Sequence, residues 1–280
     1  MKHNRSTHFD FRATSIPANP VGRDFIVGDL HGRLGALNDL LAGVCFEPEK
    51  DRLFSTGNLV SHGEDSLGCL RLLKQAWFFP VRGSTDAMLC AYLLGSQAEW
   101  HDAADFLHNG GKWIKQVPSD EKTEISDLAW LLLDLPTLLQ VEHPAGNFQV
   151  VHASLPAPTP DQSDALLLPS YGERALWNRA PAVEALHAVA AEGENPFIEQ
   201  ADNKKCCIAT EWLTSTTPWQ DGRPLTYAGH VCSGHKRVLH QSMLLIDGGA
   251  RDIGREPDAH LVLLEHAATM SRLNQLAPRK

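Results

Sequence analysis

Short apolar runs and helix-spaced apolar positions alternate along this chain from Asp24 onward. Phe25-Ile26-Val27 is the first run and predicts a buried strand, followed by the turn Gly28-Asp29-Leu30-His31-Gly32. Leu34, Leu37, Leu40, Leu41 and Val44 then recur at the spacing of one helix face. A second round has a strand over Arg52 to Ser55, a turn from Gly57 to Gly63, and a helix carrying Leu67, Leu70 and Leu73. A third has a strand over Phe78 to Val81, a turn at Gly83, and a helix through Met88 and Leu93. Gln97 to Leu135 reads as helical with a break at Gly110-Gly111. Thr137 to Glu142 and Phe148 to His152, joined by Pro144-Ala145-Gly146-Asn147, predict a β-hairpin. Leu155 to Pro224 is irregular and is expected to form loops and short helices over the site. Strands return over Leu225 to Ala228, Ser242 to Ile246 and Leu261 to Leu264, and the tail after Glu265 is expected to be peripheral. Met1 to Gly22 is polar, includes Pro17 and Pro20, and reads as a flexible arm ahead of a single α/β domain over 23–280.

Composition narrows the function classes. The 280 residues, 43% hydrophobic and 21% charged, suffice for a sizeable core and exclude a disordered chain. With 25 Lys and Arg against 34 Asp and Glu, the formal charge of −9 argues against broad binding to nucleic acid or anionic membranes. Cys45, Cys69, Cys90, Cys206, Cys207 and Cys232 form no CxxC pair and read as reduced thiols. No apolar run follows the basic N-terminal residues as in a signal peptide, and Leu128 to Leu139 is too short to span a bilayer. The expectation is a soluble cytoplasmic protein. The 14 His residues direct attention to metal sites.

Alone, the Gly28 to Gly32 turn says little, because Gly, Asp and His are ordinary loop residues. An ordered series downstream gives it meaning. Gly57-Asn58-Leu59-Val60-Ser61-His62-Gly63 follows the second strand, and Val81-Arg82-Gly83-Ser84-Thr85-Asp86 follows the third. Val151-His152-Ala153 ends the hairpin, and Leu176-Trp177-Asn178-Arg179 lies in the irregular region. Tyr227-Ala228-Gly229-His230 and Ile246-Asp247-Gly248-Gly249-Ala250 follow late strands. From about Asp24 to Ala250, in order and spacing, the chain resembles the calcineurin-like metallophosphoesterases, and among them the lambda-bacteriophage type of phosphoprotein (Ser/Thr) phosphatase. Their signatures read GDxHG, GDxVDRG, GNHE, a His after a strand, WNR, GHT and IDTG. The resemblance implies a four-layer αββα sandwich, two mixed sheets flanked by helices, with the site at the strand ends. It also implies two metal ions that share a carboxylate and activate a water for attack on phosphorus.

Carried over by position, Asp29 and His31 match ligands of one metal, and His152 and His230 match ligands of the other. Arg179 matches the arginine that forks onto phosphate oxygens, although a structural stack on Trp177 explains it equally. Outside this series, His152 and His230 would read as core histidines. The other positions depart from the pattern. Asn58 stands where the bridging Asp belongs, and Ser61 and His62 replace the Asp and Arg that follow. Ser84 and Thr85 replace the Asn ligand and the His general acid, so no catalytic group of the matched set is intact. Asp86 fits both the acidic end of the GNHE signature and a helix N-cap. The signature glycines at 28, 32, 57, 63, 83 and 229 remain, so turn geometry is kept while reactive side chains are not.

Two divalent ions about 4 Å apart repel by roughly 16 kcal/mol at an effective dielectric near 20. A shared carboxylate normally offsets this, and Asn58 offers only a neutral amide. A tight two-metal centre is therefore disfavoured, and the matched ligands Asp29, His31, Asn58, His152 and His230 are read as a weak site for at most one divalent ion such as Mn, Fe or Zn. Loss of the general acid at Thr85 costs about 10²- to 10⁴-fold in rate. His62 lacks the fork of an arginine and is mostly neutral at pH 7. The leading expectation is a pseudophosphatase that binds a phosphorylated protein or small phosphate ligand through Arg179 and His62. The alternatives are a residual single-metal phosphoesterase acting on phosphoprotein or nucleotide, and a structural subunit with a vestigial pocket. Oligomeric state is not legible.

Overall fold

A computed structural model describes residues 11–95, 103–155, 175–191, 212–214, 224–234, 237–240 and 242–276. Cys206-Cys207, the first ten residues and most of the irregular region lie outside them. The strands are β1 (Ala13–Ile16), β2 (Asp24–Val27), β3 (Arg52–Ser55), β4 (Phe78–Pro80), β5 (Leu138–Val141), β6 (Phe148–Val151), β7 (Trp212–Thr214), β8 (Leu225–Ala228), β9 (Arg237–His240), β10 (Met243–Leu245) and β11 (Leu263–Glu265). The α-helices are α1 (Leu34–Gly43), α2 (Ser66–Arg71), α3 (Ser84–Leu94), α4 (Ala103–His108), α5 (Lys122–Leu133), α6 (Ala180–Ala191) and α7 (His266–Leu276).

Among the described residues, two mixed sheets form, ordered β1-β5-β6-β8-β10-β9-β7 and β11-β2-β3-β4. Strand alternation makes the layers. Ile26 and Phe54 point between the sheets and join Leu139, Phe148, Val150, Tyr227 and Leu244 in one apolar cluster. Phe25, Val27 and Leu53 point the other way, onto Leu37, Leu70, Leu89, Ile125 and Leu128 of the helices. On the outer face of the larger sheet, Val151, Ala228 and Leu245 pack against Ala182 and Ala185 of α6. Helix, sheet, sheet and helix are thus stacked as the αββα sandwich expected from the sequence, and the predicted hairpin is the antiparallel pair β5–β6.

Three sequence expectations change, the first at β7, a strand paired with β9 inside the region 155–224 that was expected to form loops and short helices. Residues 13–16, read as part of a flexible arm, form an edge strand parallel to β5. Ala-Thr-Ser-Ile carries no buried face to betray it, since its side chains are mostly exposed and the pairing is made by backbone. The tail after Glu265, read as peripheral, is helix α7. Met270 and Leu273 are buried in the core between the sheets, an i,i+3 pair that is brief against an otherwise polar helix.

Candidate functional site at the strand ends

Each parallel strand of the smaller sheet releases a polar loop at its C-terminal end, where α/β folds gather their chemistry. After β2 come Asp29 and His31, after β3 Thr56 and Asn58, and at the start of α3 Ser84 and Thr85. The larger sheet adds His152 after β6, His230 after β8 and Asp247 after β10. Asp29, His31, Asn58, Ser61, Ser84, Thr85, His152 and Asp247 are all buried. The backbone is strained here. His31, Asn58, Ser61, His62 and His230 all have positive φ, between 46° and 82°. Such left-handed conformations cost energy for residues other than glycine and cluster at functional sites.

Asp29 sits at the centre. Thr56 Oγ1 donates to its Oδ1 at 2.7 Å, and Asn58 Nδ2 and the His230 N–H donate to its Oδ2 at 3.0 and 3.1 Å. His152 Nδ1 lies 3.7 Å from its Oδ1 and His31 Nε2 3.9 Å from its Oδ2. The orientation of Asn58 is fixed by its other end. Its Oδ1 accepts the Thr85 backbone N–H at 2.8 Å, the Thr85 hydroxyl at 3.0 Å and the Ser84 hydroxyl at 3.2 Å. A backbone N–H can only donate, so the atom facing it is oxygen and the NH₂ must face Asp29. Asn58 thereby caps the first turn of α3 from another loop. Asp86 acts alongside it, accepting the Gly83 and Leu59 N–H groups at 2.9 and 2.8 Å, so its place is that of a capping residue.

His152 Nδ1 donates to the Thr56 carbonyl at 2.8 Å, which leaves Nε2 with a free lone pair 3.3 Å from Ser84 Oγ, whose proton goes to Asn58. Its ring lies 4.7 Å from that of His230, whose Nε2 accepts from Arg179 Nε at 3.1 Å. Arg179 is exposed at the mouth, beside Trp177, whose ring stands edge-on to His230. His31 Nδ1 and Ser61 Oγ are buried without a hydrogen-bond partner.

Burial drives these groups toward neutral forms. It raises the Asp29 carboxyl well above the usual range, aided by the Asp247 charge and opposed by the Thr56, His230 and Asn58 donors. Burial lowers His31 to about 3, and lowers His230 to about 4 with help from Arg179. His152 is held well below the usual imidazole range, first by burial and then by His230. Asp86 is raised to about 6 by burial despite its backbone donors.

The match to known proteins decides the lineage. Residues 25–235 match the calcineurin-like phosphoesterase family. The chain belongs to that family. Relatives of this phosphoesterase include serine/threonine-protein phosphatase 1 of Salmonella typhimurium, 32% identical over 155 residues that cover 55% of this chain and 68% of the relative. The symmetrical bis(5'-nucleosyl)-tetraphosphatase of Haemophilus ducreyi is 34% identical over 204 residues, covering 70% of this chain and 60% of its own length. A crystal structure of a provisionally assigned diadenosine tetraphosphatase superposes over 91% of this chain and 98% of its own, with 23% identity and a TM-score of 0.49.

Calcineurin-like phosphoesterases work with divalent metal, so the donor set can be tested against such ions. A bridging ligand must turn an oxygen toward both metals, and Asn58 turns N–H groups toward Asp29 while its oxygen is spent on α3. Asp29 in turn accepts from three protein donors. Among the described residues, no three His, Cys, Asp or Glu side chains converge closely enough to hold an ion. These residues do not fit a bridged metal pair. Thr56 and Asp247 are the neighbours of Asp29 to which sequence reasoning gave no role. Asp247 was detectable as the acidic residue of the late IDGG turn, whereas Thr56 gave no signal beyond following β3.

Proposed function

We propose that this phosphoesterase-family chain is a pseudophosphatase, binding a phosphorylated protein segment or small phosphate ligand at the strand ends without two-metal hydrolysis. The observation that carries the reading is the Asn58 amide, held by the Thr85 N–H so that it donates to Asp29 where a bridging carboxylate would accept a metal. Thr85 and Ser84 spend their hydroxyls on Asn58 and cannot serve as a general acid of ordinary pKa. Arg179 supplies the anion-binding function, with its terminal amines at the mouth.

One observation favours a second reading, a residual single-metal phosphoesterase. The Thr56 carbonyl fixes His152 as the Nδ1–H tautomer and aims the Nε2 lone pair inward, as metal-binding imidazoles are held. The relatives named as phosphatases and tetraphosphatases support it equally. Protein purified without chelator should retain at most one transition metal per chain by elemental analysis. It should bind a phosphopeptide yet hydrolyse an aryl phosphate in Mn²⁺ at least about a thousandfold more slowly than an intact relative. Robust turnover that disappears in His152→Ala would establish the single-metal enzyme instead.

A further inference from the structure

Beside the strand-end site lies a separate cavity of about 390 Å³, within the size range of small-ligand pockets. Its lining includes His62, Leu107, Lys112, Trp113, Gln116 and Arg255 and contains no Asp or Glu. That is notable in a chain of net charge −9. Two acidic side chains of the neighbouring loops are engaged, Glu64 with Arg33 at 3.1 Å and Asp252 with Arg251 at 3.5 Å. Among the described residues, Lys112 and Arg255 are left without an ion pair. The pocket is built by the glycine break of the sequence. Gly110, at φ +87°, lays its backbone on the His62 ring so closely that a Cβ there would stand 2.7 Å from it. The chain then turns through the 3₁₀ segment Gly111–Lys115, which presents Lys112 and Trp113. His62 in turn packs edge-on against His31, 5.3 Å between ring centres, so the pocket shares a wall with the strand-end site.

We propose that this pocket binds an organic phosphate, with its anionic group between Lys112 and Arg255 and its apolar part against Trp113 and Leu107. The inference rests on the phosphate-binding reading and adds a second compartment beside the strand-end one at Arg179. The test is calorimetric titration with phenyl phosphate, alongside inorganic phosphate and phenol, of the parent chain, Lys112→Gln, Arg255→Gln, the double variant and Arg179→Gln. Both cations are exposed, so these variants should keep the parent melting temperature. Phenyl phosphate should bind more tightly than either fragment. Each single pocket variant should weaken the tighter binding step about tenfold and the double variant more, while Arg179→Gln should weaken only the step at the strand ends. Unchanged affinity in the double variant overturns the pocket. If Arg179→Gln abolishes that binding, the ligand sits at the strand ends and the broader reading survives. No phenyl phosphate binding by the folded parent overturns both.

Discussion

Asn58 differs from an aspartate by an amide in place of one carboxylate oxygen, and the buried environment turns that small change into a large one. Its Oδ1 can cap α3 with either side chain, because the Thr85 N–H needs only an acceptor. The group facing Asp29 is different, donating as an amide and repelling as a carboxylate. Asn58→Asp should therefore cost about 2–4 kcal/mol in metal-free protein, through a lost charge-assisted hydrogen bond and a new buried like-charge contact. The two carboxyls must share a proton, so the variant should regain stability as pH falls through the carboxylate range. Added Mn²⁺ should raise its melting temperature and leave that of the parent unchanged. Thermal melts with and without Mn²⁺ check this, and a parent that is stabilised as strongly as the variant refutes it. The sequence marked Asn58 as a missing charge. It did not show that the amide had become a hydrogen-bonding hub, because that depends on where the first turn of α3 lies.

At the scale of elements, the strands with buried apolar runs were legible to within a residue or two, since both faces of β2, β3 and β8 meet apolar layers. Elements held by backbone pairing or by one polar anchor were not. Helix α7 is the clearest case. At its first residue, His266 Nε2 donates to the Gly146 carbonyl at 2.7 Å and Nδ1 accepts the Tyr227 hydroxyl at 2.9 Å. This use of both ring nitrogens requires the neutral imidazole, and burial lowers the group to about 4. An imidazole depressed below its unfolded value contributes fully above about pH 6.5 and loses that contribution as pH falls toward 4. The slope is at most about 1.4 kcal/mol per pH unit. Asp86, raised to about 6, pulls the other way over much of the same window, so total stability is a poor readout. The difference in urea-unfolding free energy between the parent and His266→Gln isolates it, and should shrink by about 1–2 kcal/mol from pH 7 to pH 5. A difference independent of pH would remove His266 as the anchor.

For the whole molecule, the fold was readable because the strand–turn–helix rhythm and the glycine turns are global regularities. The chemistry was readable only as an inventory of absent groups, since whether Asp29 is satisfied without metal depends on three donors from two loops far apart in sequence. The same distributed geometry governs repair. Asn58, Ser61, Ser84 and Thr85 are buried, and His62 lies under Gly110, so larger replacements must displace packed neighbours. Overpacking at such positions costs about 1–3 kcal/mol each. The combination Asn58→Asp, Ser61→Asp, His62→Arg, Ser84→Asn and Thr85→His should therefore melt well below the parent. Groups that act as a unit are strongly non-additive. Measurable Mn²⁺-dependent hydrolysis of an aryl phosphate is expected from the folded fivefold variant and from neither Asn58→Asp nor Thr85→His alone. A folded fivefold variant that takes up two metals and stays inert would show that the pocket itself has drifted.

The hydrogen bonds around Asp29 have a further consequence for the life of the protein in a cell. A centre held together by ions is finished only after those ions have been delivered, and it can be emptied by chelation, displaced by a tighter-binding competitor, or left half-assembled in starvation. Thr56, Asn58 and the His230 N–H arrive with the polypeptide. In the pseudophosphatase proposed above, the centre they close would be complete as soon as the chain has folded and would draw nothing from the metal supply.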